Sequence, residues 1–399
     1  MNLTDPIAAL EIGTTRTSIA IAEPLGPGRI NIVARGDIPS SGVRKSQITD
    51  IGKASVSILS VLKYLEDRYG YSIGRAALAV SGPQIRTEQM VTQWQVDKTV
   101  TENDLAEIYN RSCDTGLEDD RSLLDISELG YGLDGLDGIA SPKGMSGRVL
   151  SLRTLVVHGS KPRINDARTA AENSKLEISE SYFAGRCAAE AVLTPEDKTA
   201  GTLVIDLGGG STSYAAFADG RMILAGVVGV GGDHVTNDIK LAFSISRAQA
   251  EKVKMSASAS FSPERTGRVE VPSSLTTGDG ATVSMRALDT VVNARMGELF
   301  SVIREALDSN GVLHLISGGF VLTGGGARLA NVTSLARNVF GGIVRIGTLI
   351  PGIEGLDQDE FPAQHATIAG ALLLDQRNSG EQSLFDPITN ILKRFFKGK

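Results

Sequence analysis

One stretch of the sequence combines an acid, three glycines and two hydroxyl groups where a chain reversal is expected. The apolar run 202–207 carries Asp206, three glycines follow at 208–210, and a second apolar run begins near Tyr214. Because glycine has no Cβ atom, the backbone N–H groups of such a turn can close directly on an anion. Asp206 is suited to hold a hydrated divalent cation through oxygen. A plain hairpin turn has the same local sequence, so the stretch alone leaves both interpretations open.

Two altered copies of this pattern occur elsewhere in the chain. The first, 7–22, places Glu11, Gly13 and two threonines between apolar runs, and the second, 319–329, is an apolar run that turns through glycines into a predicted helix. Two acid-tipped hairpins and a late glycine turn fit a nucleotide clamped between two similar halves. The sequence contains neither the P-loop spacing nor the Rossmann fingerprint, so these two modes of nucleotide binding are not supported.

Composition limits the broad class of the protein. The chain has 399 residues, enough for two or more domains, and its 41% hydrophobic and 22% charged residues are ordinary for a globular protein. A net charge of −6 gives no general attraction to nucleic acid, so no nucleic-acid partner is expected. Cys113 and Cys187 are far apart, as suits a reducing cytoplasm, and the four histidines lack metal-ligand spacing. Neither a signal peptide nor a membrane-spanning run is expected.

The elements around the glycine turns are predicted to alternate between strand and helix in an α/β arrangement. Apolar residues recur at helical spacing over 50–69, and the run 287–307 predicts a long amphipathic helix. Thr101 is a predicted N-cap with acids in the following turn. Ser246 and Gln249 have the spacing of a capping box, which opens a further helix.

The C-terminal residues have the composition of a linker followed by a membrane-surface helix. A polar segment, 378–382, precedes Asp386 and Pro387, a favourable N-cap and N1 pair. Apolar residues then recur at i, i+3, i+4 and i+7 with basic residues on the other side, which is typical of a helix lying on a membrane. A helix packed on its own domain is the alternative. The predicted membrane contacts are Ile388, Ile391, Leu392, Lys393, Arg394, Phe395, Phe396 and Lys397.

The three glycine turns resemble the phosphate-1, phosphate-2 and adenosine motifs of the superfamily that contains actin, heat-shock chaperones and sugar kinases. The matching segments are 11–15, 206–212 and 323–327. Longer matches, including 138–147 and 181–197, and the C-terminal tail make nearly the whole chain similar to the FtsA family of bacterial cell-division proteins. The resemblance implies an α/β fold of the actin-like (ribonuclease H-like) type, a two-lobed ATPase fold with an inserted α+β subdomain, 1C, and a C-terminal amphipathic helix.

The same resemblance divides the chain into subdomains. Subdomain 1C would be a protein-contact domain, and a purely structural insertion is the alternative. The implied boundaries are 1–83 and 163–200 for subdomain 1A, 84–162 for the inserted subdomain 1C, 201–234 and 310–378 for subdomain 2A with closing C-terminal elements, 235–309 for subdomain 2B, 379–386 for a linker and 387–399 for the membrane-targeting amphipathic helix.

The ligands implied by the resemblance are ATP and Mg²⁺. Glu11 and Asp206 would hold the metal through water, and the glycine turns would bind the phosphates. Glu251 and Lys254 would reach the adenosine, although their i,i+3 spacing also fits a solvated surface ion pair. The full implied nucleotide-binding set is Gly13, Thr14, Thr15, Gly208, Gly209, Gly210, Thr212, Gly232, Glu251, Lys254, Gly324, Gly325 and Gly326.

The chain differs at one place from hydrolytic relatives in this superfamily such as MreB. Where those relatives carry a Glu or Gln that orients the attacking water, the resemblance places Ala184 and Gly185. Without a water-positioning group, hydrolysis is expected to be slow or absent. No catalytic residue is assigned, and ATP would act as a structural clamp and polymerisation switch.

The implied function is that of an actin-like cell-division protein on the cytoplasmic face of the membrane at the division site. Its partners would be its own copies in a filament, the C-terminal tail of the division tubulin FtsZ, anionic lipid, and later division proteins that contact subdomain 1C. Arg286 and Arg295 are the candidate cations for the FtsZ tail, but the paired arginines that many relatives carry ahead of this helix are replaced by residues 281–284. A PilM-like pilus-assembly scaffold and a small-molecule kinase on the same ATPase fold are the alternatives.

Overall fold

The computed structural model describes residues 6–114, 116–257, 266–272, 282–356 and 361–379, so the predicted membrane helix, 387–399, lies outside the described residues. The strands are β1 Ile7–Ile12, β2 Arg16–Gly26, β3 Arg29–Pro39, β4 Val43–Arg44, β5 Gln47–Ile48, β6 Arg75–Val80, β7 Arg86–Gln95, β8 Arg121–Leu133, β9 Leu136–Ile139, β10 Val149–Ser160, β11 Glu177–Phe183, β12 Thr202–Leu207, β13 Thr212–Ala218, β14 Arg221–Val228, β15 Arg268–Glu270, β16 Thr282–Ser284, β17 Gly319–Thr323, β18 Val344–Ile346 and β19 Ile353–Glu354. The helices are α1 Ile51–Tyr69, α2 Glu102–Cys113, α3 Lys161–Glu172, α4 Ala184–Val192, α5 Pro195–Ala200, α6 Gly232–Phe243, α7 Arg247–Lys254, α8 Met285–Ser309, α9 Val332–Phe340 and α10 Ala366–Ser379. Short 3₁₀ turns cover Leu313–Leu315, Gly325–Arg328 and Pro362–His365.

Two mixed sheets with the same strand pattern form the two lobes. The first has the order β11-β6-β1-β2-β3-β19 and the second β14-β13-β12-β17-β18. In each sheet three consecutive strands form an antiparallel meander. Two further strands, parallel to the first strand of the meander, extend the sheet on that side. This repeat confirms the expected α/β fold with two similar halves. It also brings the carboxyl ends of β1 and β6 together in the first lobe, and those of β12 and β17 in the second.

Two hydrophobic cores pack the lobes, and the first extends onto the face of the second sheet that carries Val204, Phe217 and Val321. In the first lobe α1 buries Ile58 and Leu65 of the predicted apolar stripe but leaves Val56 and Leu59 exposed. Asp50 caps the helix by accepting a hydrogen bond from the backbone N–H of Lys53 at 3.0 Å. In the second lobe α8 lies against the sheet and buries Leu288, Val292, Met296, Leu299, Phe300, Ile303 and Leu307. Each large side chain buried in this way contributes roughly 1.5–3 kcal/mol.

A separate α+β module is inserted between β6 and α3. Its sheet has the order β7-β10-β8-β9, and α2 packs on it over a third core that contains Ile108, Leu150 and Val156. Thr101 caps α2 in a capping box with Asp104, as its sequence predicts. The module contacts both lobes, because Thr87 Oγ1 donates to the carbonyl oxygen of Ala225 in β14 at 2.8 Å and Asp125 in β8 lies 3.8 Å from Arg186 in α4.

The third glycine turn differs from its prediction. The sequence predicts a helix directly after this turn, but the structure has the 3₁₀ turn Gly325–Arg328 and begins α9 only at Val332. Asn331 has a φ of 58°, in the left-handed region, and a residue in that conformation cannot continue a right-handed helix. The turn and α9 are therefore separate elements.

Helices α4 and α10 cross at unusually close range on the first lobe. A Cβ atom on Gly370 of α10 would overlap the carbonyl oxygen of Cys187 in α4, and α4 is built almost entirely of small buried residues. Glycine at this position is what allows the two backbones to touch.

A buried ion cluster holds the same two helices together. The carboxylate of Glu190, whose side chain is fully buried, accepts hydrogen bonds from Arg186 at 2.7 Å and from Lys198 and Arg377 at 2.8 Å each. Burial alone would raise the pKa of Glu190, but these three cations hold it far below its usual range. Removing one partner of such a buried group leaves uncompensated charge, which is strongly destabilising.

Two glycine-to-alanine substitutions test the helix crossing. Gly370→Ala should destabilise the protein by about 1–3 kcal/mol, because the new methyl group must displace the α4 backbone. Gly297→Ala is the matched control, since Gly297 is also inside a helix but a Cβ atom there meets nothing within 4 Å. That control should stabilise the protein by about 0.5–1 kcal/mol. Chemical denaturation gives both values, and equal effects of the two substitutions would contradict the close crossing.

Candidate functional site

The tips of the two acid-bearing hairpins meet face to face between the lobes. A Cβ atom on Gly209 would lie 2.8 Å from the side chain of Thr15, and one on Gly210 would overlap the hydroxyl of Thr14. At Gly210 a Cβ atom would also lie 2.8 Å from the Lys45 Cα atom, so only glycine fits there, and at Gly209 any larger residue would displace the Thr15 side chain. The arrangement brings the two turns that the sequence predicts to bind phosphate into direct contact.

Glu11 and Asp206, the two predicted metal ligands, both line the cleft under these tips. Asp206 lies opposite Thr323 in the parallel pair of β12 and β17, and its Oδ1 accepts a hydrogen bond from Thr323 Oγ1 at 3.1 Å. Its Oδ2 accepts one from Thr367 Oγ1, in the first turn of α10, also at 3.1 Å. The two threonines fix the orientation of the carboxylate.

The electrostatics of this acid pair favour a cation. Burial, and then the neighbouring charge of Asp206, raise the pKa of Glu11 to about 7, while Arg16 opposes the rise. Burial also raises the pKa of Asp206, against the hydrogen bonds from its two threonines. Mg²⁺ usually binds through one or two carboxylates together with phosphate oxygens and water. The acids and the glycine turns therefore fit Mg²⁺ and a polyphosphate.

A group of serine hydroxyls joins the lobes beside the acids. Ser46 sits in a two-residue turn with a left-handed φ of 56°, and its N–H donates to Thr14 Oγ1 at 2.7 Å. Its hydroxyl lies 2.8 Å from that of Ser211 in the opposite lobe. Ser81 Oγ lies 3.1 Å from Ser211 Oγ and 2.8 Å from Ser213 Oγ. These contacts link both hairpins through side chains from three different segments.

Several lining residues are not among the sequence-predicted site residues. Ser81 had a usable signal, because it follows a predicted strand whose carboxyl end meets that of β1. Arg16, Ser18 and Ser211 lie in or beside the two predicted hairpin turns, whereas Ser46, Gln364 and Thr367 are single polar residues that only the folded chain brings to the cleft. These additional lining residues are Arg16, Ser18, Ser46, Ser81, Ser211, Gln364 and Thr367.

Most of the predicted phosphate and metal residues line the cleft, but Gly210, Thr212 and Gly326 do not; Gly210 packs against Thr14 and Lys45. Thr212 is fully buried and its hydroxyl donates to the carbonyl oxygen of Val230 at 2.9 Å. A Cβ atom on Gly326 would lie 2.8 Å from Leu207 Cβ, so this glycine serves packing. The predicted residues that line the cleft are Glu11, Gly13, Thr14, Thr15, Asp206, Gly208, Gly209, Gly324 and Gly325.

The predicted adenosine residues form a connected group behind the second hairpin. Lys254 Nζ lies 2.7 Å from Glu251 Oε1 and donates to Thr236 Oγ1 at 3.0 Å. The lysine side chain is only 17% exposed, so this ion pair is not the fully solvated one that the alternative interpretation requires. The N–H of Gly232, at the start of α6, donates to the carbonyl oxygen of Gly208 at 3.0 Å and ties the group to the phosphate turn.

The two candidate partner-binding arginines lie in different environments on α8. Arg295 makes ion pairs with Asp238 of α6 and with Glu298, each at 2.6 Å. Arg286 is exposed near the start of the helix. Of the two charges, that of Arg295 is already used to hold α6 against α8.

Comparison with known families agrees with this geometry. Residues 203–369 match the family model described as Cell division protein FtsA, and residues 82–158 match that of the SHS2 domain inserted in FtsA. The chain is 30% identical to Cell division protein FtsA of Enterococcus hirae over 366 residues, covering 90% of this chain and 82% of the relative. It is 26% identical to that of Escherichia coli K12 over 376 residues, covering 92% and 89%.

Solved structures share the fold at low sequence identity. The PilM-PilN type IV pilus biogenesis complex matches with a TM-score of 0.63 and 14% identity, covering 92% of this chain and 98% of that one. MreB 5 of Spiroplasma citri bound to AMPPNP matches with a TM-score of 0.56 and 14% identity, covering 94% and 96%. The two sheets are thus those of an actin-like fold, and the inserted module is the part that matches the SHS2 family model.

Substitution of Glu11 tests the charge balance of the acid pair. Because its pKa is raised from 4.5 to about 7, the folded state keeps a proton that the unfolded chain releases, so stability falls as pH rises between these values. Glu11→Gln should remove this loss, so that its free energy of unfolding rises by roughly 1–3 kcal/mol relative to that of the natural protein between pH 5 and pH 8. Denaturation in EDTA at both pH values measures the difference.

A second substitution provides the comparison for that measurement. Asp50 is an exposed helix cap whose pKa is lowered by hydrogen bonds from Lys53. The stabilisation by the ionised Asp50 carboxylate is complete above pH 5. Asp50→Asn should therefore lower the free energy of unfolding by the same amount at pH 5 and pH 8. A Glu11→Gln variant that follows this flat pattern would contradict the raised pKa.

Proposed function

This chain belongs to the FtsA family of bacterial cell division proteins, and we propose that it binds Mg²⁺ and ATP between its lobes, polymerises, and tethers FtsZ filaments to the cytoplasmic membrane at the division site. The contact between the two glycine turns above Glu11 and Asp206 is the observation that carries the nucleotide part of this proposal. A ligand that reaches both turns and both acids joins the lobes.

Each part of the cleft has a defined task in this proposal. The glycine turns donate backbone N–H groups to phosphate oxygens, and Thr14 and Thr15 add hydroxyl donors. Glu11 and Asp206 hold the metal, which supplies positive charge to the phosphates when it is bound. Glu251 and Lys254 reach the adenosine from behind the second turn.

We propose that bound ATP holds the two lobes together and that its hydrolysis does not drive the function. Ala184 presents a methyl group to the cleft at the position assigned to water orientation in hydrolytic relatives. A methyl group can neither orient a water molecule nor take a proton from it. Hydrolysis is therefore slow or absent, and the bound triphosphate holds the two lobes in the orientation that polymerises.

Membrane attachment is assigned to the C-terminal segment 387–399. Each large apolar side chain of this segment contributes at most roughly 1.5–3 kcal/mol on burial, and each basic residue near an anionic leaflet adds about 1 kcal/mol. Ordering a short helix and losing translational freedom oppose these gains, so one tail binds reversibly. Polymerisation turns many weak tails into one tight attachment. None of the helices in the described part of the chain is long and apolar enough to cross a membrane.

The proposed protein partners use the outer subdomains. Arg286, exposed at the start of α8, supplies the cation for the acidic C-terminal tail of FtsZ. Arg295 contributes by holding α8 against α6. Later division proteins contact the inserted module. The pilus-assembly alternative rests on a likeness of fold at 14% identity, whereas identity to an FtsA relative reaches 30%. A small-molecule kinase would have no use for the basic amphipathic segment 387–399.

Nucleotide binding is tested with Asp206→Asn. The amide keeps the shape of the side chain but removes the charge, so affinity for ATP in Mg²⁺ should fall at least about 10-fold while affinity in EDTA changes little. Asp219→Asn, in the turn between β13 and β14, is the matched control and should bind as the natural protein does. Titration calorimetry gives the affinities. Failure of the natural protein to bind ATP, or turnover faster than about once per second, would contradict the proposal.

Membrane tethering is tested by sedimentation with vesicles. The full chain should pellet with vesicles that contain anionic lipid, more strongly with ATP than without it, and FtsZ filaments should pellet with it. A variant without residues 383–399 should stay in the supernatant and leave FtsZ there, because both the apolar and the basic contacts are gone. Arg286→Glu should still pellet but carry less FtsZ. Unchanged pelleting of the truncated variant would exclude this segment as the anchor.

A further inference from the structure

Three polar side chains lie in one row across the first sheet, on the face that meets the cleft. Glu11 of β1 is directly opposite Ser18 of β2, and Ser18 is directly opposite Asp37 of β3. Residues directly opposite each other on neighbouring strands project to the same face of a sheet. Glu11 and Ser18 both line the cleft. The strand register therefore places a hydroxyl group between two carboxylates at the metal end of the site.

The hydroxyl of Ser18 is held in one orientation. It donates to Asp37 Oδ1 at 2.6 Å, a length typical of a hydrogen bond to a carboxylate, and the residue is only 6% exposed. A serine hydroxyl has one hydrogen and two acceptor lone pairs. Since the hydrogen is committed to Asp37, Ser18 offers the cleft only acceptors.

Asp37 is itself fixed from the other side. Its Oδ2 lies 3.3 Å from Arg35 Nε in the same strand, so one oxygen faces Arg35 while the other receives the Ser18 hydrogen. This ion pair keeps the carboxylate from turning away. Asp37 thus determines which way the Ser18 hydroxyl points.

Arg16 lies close enough to Glu11 and Asp206 to lower the pKa of both acids against the rise caused by burial, and the other three charged or hydroxyl-bearing side chains at this end of the cleft offer hydrogen-bond acceptors to a ligand. Glu11 and Asp206 offer carboxylate oxygens, and Ser18 offers lone pairs. A hydrated magnesium ion matches this set, because Mg²⁺ keeps several of its water molecules and each of these donates two hydrogen bonds. A phosphate oxygen, which only accepts, would gain nothing from Ser18.

We propose that Ser18, oriented by Asp37, is a positioning residue of the magnesium site and accepts a hydrogen bond from a metal-bound water molecule. Ser18 acts through that water and touches neither the metal nor the phosphates. Outer-shell partners of this kind typically change metal affinity 10- to 100-fold. The inference rests on the proposed function, since it presumes that Mg²⁺ and nucleotide bind in this cleft.

The neighbouring residue supplies a matched control. Thr17 is on the same strand, faces away from the cleft residues, and its hydroxyl lies 2.8 Å from that of Ser40. It is fully buried and does not line the cleft. Thr17→Val therefore removes a hydroxyl hydrogen bond of similar length from the same strand without altering the metal end of the site.

The experiment measures binding of ATP to the full chain at a series of Mg²⁺ concentrations and in EDTA. Mg²⁺ should raise the ATP affinity of Ser18→Ala at least 10-fold less than it raises that of the natural protein, and the affinity of this variant in EDTA should be unchanged. Ser18→Thr should restore most of the loss. Asp37→Ala should match Ser18→Ala, and the double variant should be no worse than either, because the two residues act as a unit. Thr17→Val should behave as the natural protein does. Mn²⁺ titrated alone, with bound Mn²⁺ followed by electron paramagnetic resonance, should show the same ranking.

The outcomes separate this inference from the proposed function. If the natural protein binds no ATP, the proposed function fails and the inference with it. If the natural protein binds ATP with Mg²⁺ but Ser18→Ala has the same Mg²⁺ dependence, only the inference is overturned. An equal loss of affinity in Mg²⁺ and in EDTA would also overturn it, since that pattern indicates a structural role.

Discussion

Direct contact between two backbone turns is the constraint on which the rest of the structure depends. The β12–β13 turn reaches the threonines of the β1–β2 turn only because Gly209 and Gly210 have no side chains. Each turn is the end of a hairpin in a different sheet, so the contact fixes how the sheets face each other. It also brings two acids into one cleft, where burial and mutual repulsion raise the pKa of Glu11. Serine hydroxyls from other segments then complete the joint between the lobes.

Local sequence signals predicted much of the fold and the centre of the site. An acid and glycines at the end of an apolar run located both hairpins, and side-chain capping groups located the helix starts at Thr101 and Ser246. These features depend on residues within a few positions of each other. The family resemblance then identified the actin-like class and the inserted module, which the matched families and the sheet topology bear out.

The remaining site residues depend on contacts that no local pattern contains. Thr367 reaches Asp206 across 161 positions, and Ser46 reaches Ser211 across 165. Single polar residues of this kind look like ordinary surface residues in the sequence. A local pattern can also mislead. The place of Thr212 after the glycines suggested a phosphate ligand, but the pairing of β13 turns its hydroxyl toward the carbonyl oxygen of Val230. The left-handed Asn331, which separates the third glycine turn from α9, likewise had no clear local signal.

The ion cluster around Glu190 has a mechanical consequence. Arg377 lies in the last turns of α10, two residues before Ser379, and its bond to Glu190 secures that end of the helix to α4. Tension applied to the chain beyond Ser379 is thus transferred to the first lobe within a single helical turn. Thr367, which orients Asp206, lies at the opposite end of α10 from this attachment. A force on the C-terminal end of α10 therefore acts on the first lobe and not directly on the contact between the two lobes.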